Sequence, residues 1–401
     1  MKNSFKVFLF LESSRASGRL MLEGIARYAH HHGPWSFYWE PGGLETNPAR
    51  LKKLDADGII FRDVAAFKQE AIKLGIPAVV VGHGRREARG LLNVVTDSAA
   101  IGRMTAEHLL ERGLRHFAFC GYAGTAREQT PWSKHRMESF RRRVVEAGFA
   151  PPATYVFPFL GVGWQKTRRE LAEWLVRLPK PLGLMACNDD CGVQVIEACK
   201  LQGFRVPDTV SVIGVDNDEV VCGLADPPMS SVAIDFERAG YQAAEALDRL
   251  MRGSRTPSPK IEVRAVRVVA RRSTDIVAVE DKQLVAALTC IRDRARTPLT
   301  VNEVARVVGI SRRSLERRFR QQLGGSILQA IRRQRADHIA QLLLETSLPV
   351  TRIAESLGFP DVQHFARYFR AAKKMSPLAF RKNYGSKVGE IQPGTGPATG
   401  G

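Results

Sequence analysis

VARVVGISRRSLERRF (residues 304–319) and IAESLGFPDVQHFARYF (residues 353–369) are two copies of one pattern. Five positions of the first copy recur 49 residues later with similar side chains, and two apolar positions recur 50 residues later. In the first copy these positions hold Val304, Ala305, Val308, Gly309, Ile310, Leu315 and Phe319. The second copy therefore carries one extra residue in its turn, and the chain contains the same structural unit twice.

Each copy has the features of a helix-turn-helix. A small Ala allows two helices to cross closely, and a Gly with a positive φ ends the first helix. The apolar residue after the Gly fills the corner, and the next apolar pair seats the second helix. One copy alone would also be compatible with a helical hairpin whose basic face contacts only water. Two matched copies favour a pair of DNA-binding motifs.

The second helix of each copy is predicted to read DNA. We expect Ser311 to cap the first of these helices and Asp361 the second, with Leu315, Phe319 and Leu323 buried. The opposite face could then enter a major groove. The residues predicted to contact bases are Arg313, Glu316 and Arg317 in the first copy, and Val362, Gln363, His364 and Arg367 in the second. The residues predicted to contact phosphates are Arg312, Arg318, Arg320 and Arg370.

The charge of the chain is concentrated in the same region. The formal net charge is +19, and residues from Asp281 onward hold 21 Lys and Arg against 9 Asp and Glu. The last third is therefore +12, and the first two-thirds only +7. This asymmetry indicates a module that binds a polyanion, joined to a more ordinary globular domain.

Residues from about Leu284 to Tyr384 resemble the DNA-binding domain of AraC-family regulators. The resemblance is carried by Gly358-Phe359, Phe365, Phe369-Arg370, Ser376-Pro377 and Phe380-Arg381. It implies a double helix-turn-helix domain over residues 284–385, in which a long helix, here about Ile327–Glu345, joins two small subdomains. The resemblance also implies that the two subdomains insert their recognition helices, one each, into successive major-groove faces of double-stranded DNA. Pro360 precedes the proposed cap and is compatible with a helix start.

The region before residue 270 has a different pattern. Short apolar runs, such as GIIF and SVIGVD, alternate with amphipathic helical segments from Lys6 to about Val269. Such runs are typical of parallel strands covered on both faces by helices, so the pattern predicts an α/β architecture. The number of strands exceeds what one small sheet needs, and two similar lobes are expected.

Several functions and sites are disfavoured. The first 270 residues contain no G-x-S-x-G or H-E-x-x-H motif, so nothing in the sequence favours an enzyme with catalytic residues. The six cysteines form no C-x-x-C pair, and His30–His32 is interpreted as a helix end rather than a metal site. No apolar run reaches the ~18 residues of a membrane span, and we see no signal peptide. We expect a cytoplasmic protein without a cofactor, a metal or a membrane partner.

Polar residues follow the apolar runs, where the strand ends of a parallel sheet form a ligand crevice. For any one of them, capping a helix is an equally valid interpretation. The stretches MACNDDCGVQVIEACKLQGFRVPDTVSVIGVDN and SSVAIDFERAGYQAAEALDRL resemble the effector domain of LacI/GalR regulators, which is similar to periplasmic sugar-binding proteins. The resemblance implies that Arg136, Asp189 and Asp216 hold sugar hydroxyls. Trp132, one turn before Arg136, is the candidate ring for the apolar face of the sugar.

The two resemblances together define the expected fold: an α/β two-lobed periplasmic-binding-protein-like domain followed by an all-α domain with two helix-turn-helix motifs. We expect a sugar-binding sensor domain over residues 1–273, a linker over 274–283, the DNA-binding domain over 284–385 and a disordered tail over 386–401. We expect the chain to lack the headpiece that LacI-family regulators carry before the sensor, since the first predicted strand begins at Lys6.

A sensor of the LacI type followed by a reader of the AraC type resembles bacterial regulators of xylose operons. This resemblance implies a homodimer that senses a pentose, with D-xylose first, activates catabolic genes and contacts RNA polymerase. Three alternatives stay open. The protein could be a repressor, or a sugar-modifying enzyme with a DNA-binding appendage. It could also sense a different sugar or a phosphorylated one, in which case Arg15 or Arg19 could supply positive charge for the phosphate.

Overall fold

The protein is described by a computed structural model. The structure describes residues 4–41, 55–82, 91–123, 130–158, 164–254, 260–276, 281–323 and 325–384. The chain divides into two compact units, Met1–Val285 with Arg318–Gly325 and Ala286–Arg317 with Ser326–Gly401. The predicted tail, 386–401, and residues 277–280 of the predicted linker lie outside the described residues.

Twelve strands are found in the described part of the first unit. They are β1 (Phe5–Phe10), β2 (Trp35–Trp39), β3 (Gly58–Arg62), β4 (Ala78–Val81), β5 (Leu92–Thr96), β6 (His116–Ala123), β7 (Ala153–Pro158), β8 (Leu182–Ala186), β9 (Val210–Asp216), β10 (Ser230–Ile234), β11 (Lys260–Val263) and β12 (Ala265–Val269). They form two six-stranded sheets, in the orders β11-β5-β4-β3-β1-β2 and β12-β10-β9-β8-β6-β7. We call these the N-lobe sheet and the C-lobe sheet.

Among the described residues of this unit, eight α-helices cover the two sheets. They are α1 (Ala16–His32), α2 (Ala65–Leu74), α3 (Ser98–Leu110), α4 (Pro131–Glu146), α5 (Trp164–Val176), α6 (Asp189–Leu201), α7 (Glu219–Leu224) and α8 (Phe236–Met251). All strand pairs are parallel except β10 with β12. Central strands such as β3 and β8 are buried at every position, because helices cover both of their faces. The predicted α/β architecture with two lobes is confirmed.

The chain crosses between the lobes three times. It passes from β5 to α3 and β6, then from β10 to α8 and β11, and finally from Val263 to Ala265, between β11 and β12. Backbone hydrogen bonds join these crossings, since Asp97 N–H donates to Val263 O at 2.9 Å and Asp235 N–H donates to Arg264 O at 3.0 Å. The two lobes are therefore connected by three adjacent chain segments.

The second part of the chain is helical. Its helices are α9 (Lys282–Asp293), α10 (Val301–Val308), α11 (Arg312–Leu323), α12 (Ile327–Glu345), α13 (Val350–Ser356), α14 (Val362–Lys373) and α15 (Pro377–Tyr384). Helix α12 has the predicted bounds and packs against α13, α14 and α15. Leu315, Phe319, Phe365 and Phe369 are buried, as the repeat predicted.

The two copies of the repeat fold alike at their turns. Gly309 and Gly358 have φ values of 70° and 69°, a region that glycine adopts without steric cost. In each copy the residue after the glycine donates its N–H five residues back, from Ile310 to Ala305 and from Phe359 to Ala354. This is the bond pattern of a helix that ends in a Schellman-type turn. The helix-turn-helix prediction is confirmed for both copies.

Candidate effector cleft and nucleic-acid interface

Both sheets of the first unit have the same doubly wound order, with the first strand of each lobe between its neighbours. In such sheets a ligand crevice forms at the carboxyl ends of the strands, where the strand order reverses. In the N-lobe this point lies between β1 and β3, and in the C-lobe between β6 and β8. The loops after these strands define what we call the cleft.

Arg62 is the principal cleft residue of the N-lobe. It ends β3, and the residue is 6% exposed. Its guanidinium contacts both carboxylate oxygens of Glu12, with Nη2 2.7 Å from Oε1 and Nε 2.8 Å from Oε2. Nη2 also lies 3.3 Å from Ser17 Oγ. Nη1 is buried and has no hydrogen-bond partner among the described residues. The NH2 group at Nη1 of Arg62 is therefore left to donate to a ligand.

Arg136 is the buried arginine that the C-lobe contributes to the cleft. It lies on α4 and is 1% exposed. Its Nη1 donates to the carbonyl of Cys187, and its Nη2 lies 3.4 Å from Asp216 Oδ1. Within the described residues, Nε is buried without a hydrogen-bond partner. The guanidinium carbon lies 5.0 Å from the centre of the Trp132 ring. Three of the four predicted effector residues are thus brought together.

Asp216 ends β9 and has a φ of 104°, which is unusual for a residue other than glycine. Burial raises the pKa of its carboxyl group, and Arg136 and Arg15 oppose this shift. Its contact with Arg136, at 3.4 Å, is long for a charge-assisted hydrogen bond. Asp216 therefore retains capacity to accept hydrogen bonds from ligand hydroxyls.

Asp189 is used differently from the other three predicted effector residues. It is 3% exposed, and its Oδ2 accepts the N–H of Asp218 at 2.7 Å, while its Oδ1 accepts the Ser231 hydroxyl at 2.6 Å. A Cβ atom at Gly214 would lie 2.2 Å from Asp189 Oδ1, so only glycine fits there. In this structure both oxygens stabilise the turn after β9. Its contact with sugar hydroxyls stays a prediction.

Ion pairs connect the two lobes across the cleft. Arg15 Nε lies 2.9 Å from Asp190 Oδ2, and Arg19 Nη2 lies 3.0 Å from Asp218 Oδ2. The backbone N–H of Ala16 also donates to Asp218 Oδ2, at 2.8 Å. Arg15 and Arg19, the two residues that could have served a phosphorylated ligand, are therefore paired with carboxylates.

Sequence reasoning missed Arg62 and Asp218 as individual cleft residues. The rule that found Asp216, a polar residue at the end of an apolar run, applies equally to Arg62 after GIIF. A basic residue at a strand end is equally compatible with solvent exposure, so the sequence does not single out Arg62. Only the structure shows that Arg62 is buried.

The first predicted reading helix, α11, presents Arg313 and Arg317 to solvent. Arg312 and Glu316, predicted to contact phosphate and base, form an ion pair along the helix at 2.9 Å. Arg318 donates to Asp281 Oδ2 at 2.8 Å, and the other oxygen of Asp281 accepts the N–H groups that begin α9. Arg318 thus stabilises a helix start here, and its phosphate contact stays a prediction. Arg320 is exposed.

The second predicted reading helix, α14, also has an exposed face and a buried face. All five of its predicted DNA-contact residues are exposed: Val362, Gln363, His364, Arg367 and Arg370. Phe365 and Phe369 are fully buried on the opposite face. Asp361 caps the helix by accepting the His364 N–H at 2.6 Å, and Ser311 caps α11 by accepting the Ser314 N–H at 3.2 Å. Both predicted caps are confirmed.

Two residues of this region have structural contacts that the pattern did not indicate. Lys373 pairs with Asp337 of α12. Arg335, also on α12, is 8% exposed, and its Nη2 donates to Leu357 O at 2.7 Å. Its guanidinium lies 4.3 Å from the centre of the Phe359 ring. Arg335 therefore stabilises the turn of the second motif from the long helix.

Comparisons with known proteins decide the family. The xylose operon regulatory protein of Escherichia coli (strain K12) is 30% identical to this chain over 384 residues, which cover 94% of this chain and 96% of the relative. The chain belongs to the family of xylose operon regulatory proteins. A solved structure described as that of a xylose-binding transcription activator is 28% identical, with a TM-score of 0.58, and it covers 96% of this chain and 100% of its own.

Models of the two constituent domains also match. A periplasmic binding protein-like domain matches residues 106–274, and a helix-turn-helix domain matches residues 304–383. A solved regulatory protein of the LacI family from Chloroflexus aggregans, 19% identical with a TM-score of 0.56, shares the fold of the first unit, covering 68% of this chain and 99% of its own. The relatives are transcription regulators, which confirms a DNA-binding regulator rather than an enzyme. No helix in the described ranges has the length and apolar character needed to cross a membrane.

Proposed function

We propose that the chain is a sugar-responsive transcription activator whose effector is a pentose, with D-xylose first. The observation that carries this proposal is a pair of buried nitrogen donors, Arg62 Nη1 and Arg136 Nε, which have no hydrogen-bond partner in the described part of the chain and lie in a cleft of a family member. A buried donor without a partner costs free energy, so such donors favour a ligand with oxygen acceptors. The relatives, named for xylose, support the choice of pentose.

The cleft offers a complementary set of groups to a small polyol. Arg62 would donate from the N-lobe and Arg136 from the C-lobe, while Asp216 would accept from hydroxyls. One face of Trp132 contacts Arg136, and the other would cover the apolar face of the ring. Because Arg15 and Arg19 are paired with carboxylates, the cleft has little spare positive charge for a phosphate group. These contacts favour a neutral sugar over a phosphorylated one.

The effector is tested by thermal-shift titration of the full chain against a panel of pentoses, hexoses and their phosphates, followed by calorimetry. We expect D-xylose to stabilise the chain most. Arg62→Gln and Asp216→Asn should each weaken its binding by about 1–3 kcal/mol, the cost of an unmade hydrogen bond to a charged group. Arg143→Gln is the control, because Arg143 lies on α4 but pairs with Glu107 at 3.3 Å. A stronger shift with another sugar would replace D-xylose as the effector.

DNA binding is tested at the two exposed faces. Arg317→Ala and Arg367→Ala should each weaken binding to the cognate site by ~1–3 kcal/mol, the value of one base contact, with less effect on random duplex DNA. Arg352→Ala is the control, since Arg352 is exposed outside both reading helices and pairs with Glu355 at 3.1 Å. Unchanged affinity in both variants would show that the reading faces are assigned wrongly.

We further propose that the protein acts as a cytoplasmic homodimer that contacts RNA polymerase. Support for the dimer comes from the C-lobe, where Leu224 and Val220 of α7 are 81% and 63% exposed, and Leu201 of α6 is 56% exposed. Lys200 and Asp226 lie 3.6 Å apart, which places the ends of α6 and α7 side by side. Large apolar side chains open to water on one edge favour burial against a second copy. Leu224→Glu should therefore shift the protein to monomer in analytical ultracentrifugation, and an unchanged dimer would exclude this edge.

A further inference from the structure

The chain leaves the predicted sensor domain, residues 1–273, at a firmly held point that we call the exit. Ser273 and Thr274, in the 3-10 turn Arg272–Thr274, are fully buried. The Ser273 hydroxyl donates to Val212 O at 2.6 Å and accepts the Ser230 N–H at 2.8 Å. Thr274 Oγ1 lies 2.7 Å from Ser230 Oγ and 2.8 Å from His108 Nε2. The predicted linker begins at this residue, so any movement here would reach the linker directly.

Arg271 connects this exit to the cleft. Its backbone N–H donates to Ser230 Oγ at 2.7 Å, and its Nη1 donates to Met229 O at 2.9 Å. Its Nη2 donates to Asn217 Oδ1, also at 2.9 Å. Asn217 lies between Asp216 and Asp218 in the turn after β9. One arginine thus holds the exit with its backbone and the cleft turn with its side chain.

The turn 216–218 has an unfavourable backbone that its surroundings hold in place. Asp216 and Asn217 have φ values of 104° and 52°, in a region that residues other than glycine rarely adopt. Asn217 N–H donates to Ser231 Oγ at 3.0 Å, and Asp218 N–H donates to Asp189. Strained backbone of this kind persists only where neighbouring contacts over-determine it. A change in those contacts would therefore alter the turn.

Each of the three residues of the turn has a different partner. Asp216 contacts Arg136 in the proposed effector site, Asn217 contacts Arg271 at the exit, and Asp218 contacts Ala16 and Arg19 of the opposite lobe. Three consecutive residues thus contact the proposed effector site, the exit and the opposite lobe.

We propose that the turn 216–218 couples lobe closure to the exit of the sensor, and that Arg271 is the positioning residue that transmits the change. This inference rests on the proposed function only in that a sugar supplies the closure. In the open form, loss of the Asp218 contacts with Ala16 and Arg19 frees the turn to relax. Relaxation moves the side chain of Asn217, and Arg271 shifts the residues that enter the linker.

Hydrogen–deuterium exchange of the full chain, without any sugar, tests the coupling. Arg19→Met removes the side-chain contact of the opposite lobe with Asp218 and leaves only the Ala16 N–H, so we expect faster amide exchange at residues 272–275. In an Asn217→Gly background the same substitution should no longer change that exchange, because the link to Arg271 is gone. Glycine adopts a φ of 52° without strain, so this variant keeps the turn. No effect of Arg19→Met, or an equal effect in both backgrounds, would overturn the proposal.

A second arm uses D-xylose as the probe and Arg272→Met as the matched control, since Arg272 is the exposed neighbour of Arg271. Saturating D-xylose should change exchange at residues 272–275 in the native chain and in Arg272→Met. Arg271→Met should still bind D-xylose in calorimetry but lose that change in exchange at residues 272–275, whereas a retained change would contradict the proposal. If D-xylose does not bind the native chain, the proposed effector is wrong, and the sugar-free experiment still decides the coupling.

Discussion

Arg335 shows how a single arginine can serve the fold of a DNA-binding domain. It is buried between α12 and the second helix-turn-helix, donates to the carbonyl of Leu357 and stacks on Phe359. A guanidinium combines these roles because it is planar and carries several N–H groups in fixed directions. The carbonyl of Leu357 immediately precedes Gly358, so the bond fixes the turn that positions α14.

We expect Arg335→Met to destabilise the chain by about 1–3 kcal/mol, because methionine fills the space but leaves the Leu357 carbonyl unpaired. Circular dichroism during urea unfolding measures this change. Arg332→Met, on the exposed face of the same helix, removes an equal charge and should have little effect. Equal stabilities of the two variants would show that the buried bond contributes nothing.

Residue roles were the part of the site that the sequence predicted least well. Arg318, Lys373 and Asp189 have the charges expected of DNA or sugar contacts, yet the structure places each against a protein partner. The partners are distant in sequence: Asp281 lies 37 residues from Arg318, and Asp337 lies 36 residues from Lys373. Periodicity identifies the face of a helix but contains no information about which distant carboxylate lies opposite it.

Helix termini are where local sequence had most influence on the structure. The caps at Ser311 and Asp361, the glycines at 309 and 358, and the bounds of α12 were all predictable, because each depends on contacts between residues close in sequence. The cap of α8, Asp235, differs from these caps because its carboxyl group is partly buried. Asp235 lies at a crossing between the lobes, and burial raises the pKa of its carboxyl group to about 6.

Asp361→Ala should destabilise the C-terminal domain by about 0.5–2 kcal/mol, the usual cost of losing a cap, and should weaken DNA binding because α14 frays at its reading end. Asp361→Asn is the matched control, since asparagine caps about as well as aspartate. Urea unfolding and titration with duplex DNA measure the two effects. A similar loss in both variants would assign the effect to charge rather than to the cap.

The Asp235 carboxyl predicts a pH-dependent stability. Because its pKa is higher in the folded state, the folded state binds the proton more tightly, and this contribution to stability is lost as the pH rises through about 6. Asp235→Asn cannot ionise, so we expect it to exceed the native chain in stability by about 1–3 kcal/mol at pH 8 and to match it at pH 4. Urea unfolding at both pH values tests this, with Asp97→Asn as the control for a lost cap charge. A difference independent of pH would contradict it.

At the scale of the whole molecule, the excess positive charge lies in the region proposed to bind DNA, and the region proposed to bind sugar is closer to neutral. The nearly balanced first unit positions its arginines against carboxylates in the cleft, whereas the basic helical region leaves several of them exposed. The two architectures were predictable because each has its own hydrophobic period, and the repeat added a second, independent signal. The contacts between the two lobes were not predictable from sequence, because they include ion pairs such as Arg15 with Asp190 that join distant segments.

The salt dependence of DNA binding should distinguish free from engaged arginines. Each phosphate contact contributes about one unit to the slope of log affinity against log salt concentration. Arg320→Ala and Arg370→Ala should each reduce the slope by about 1, since both side chains are exposed. Arg318→Ala should change it less, because Arg318 pairs with Asp281. Fluorescence anisotropy with random duplex DNA measures the slopes, and an equal reduction in all three would mean that the pair opens on DNA.

The three crossings between the lobes restrict how the sensor can move. A single tether would let two bodies twist and slide, but three adjacent tethers, cross-linked at Val263 and Arg264, define one axis. The lobes can open by a hinge motion about this axis. Rotation in other directions would stretch at least one of the three segments. The free energy of ligand binding can therefore drive only this one hinge motion. The exit at Thr274 lies within ten residues of the last crossing segment, so the hinge motion acts close to the start of the linker.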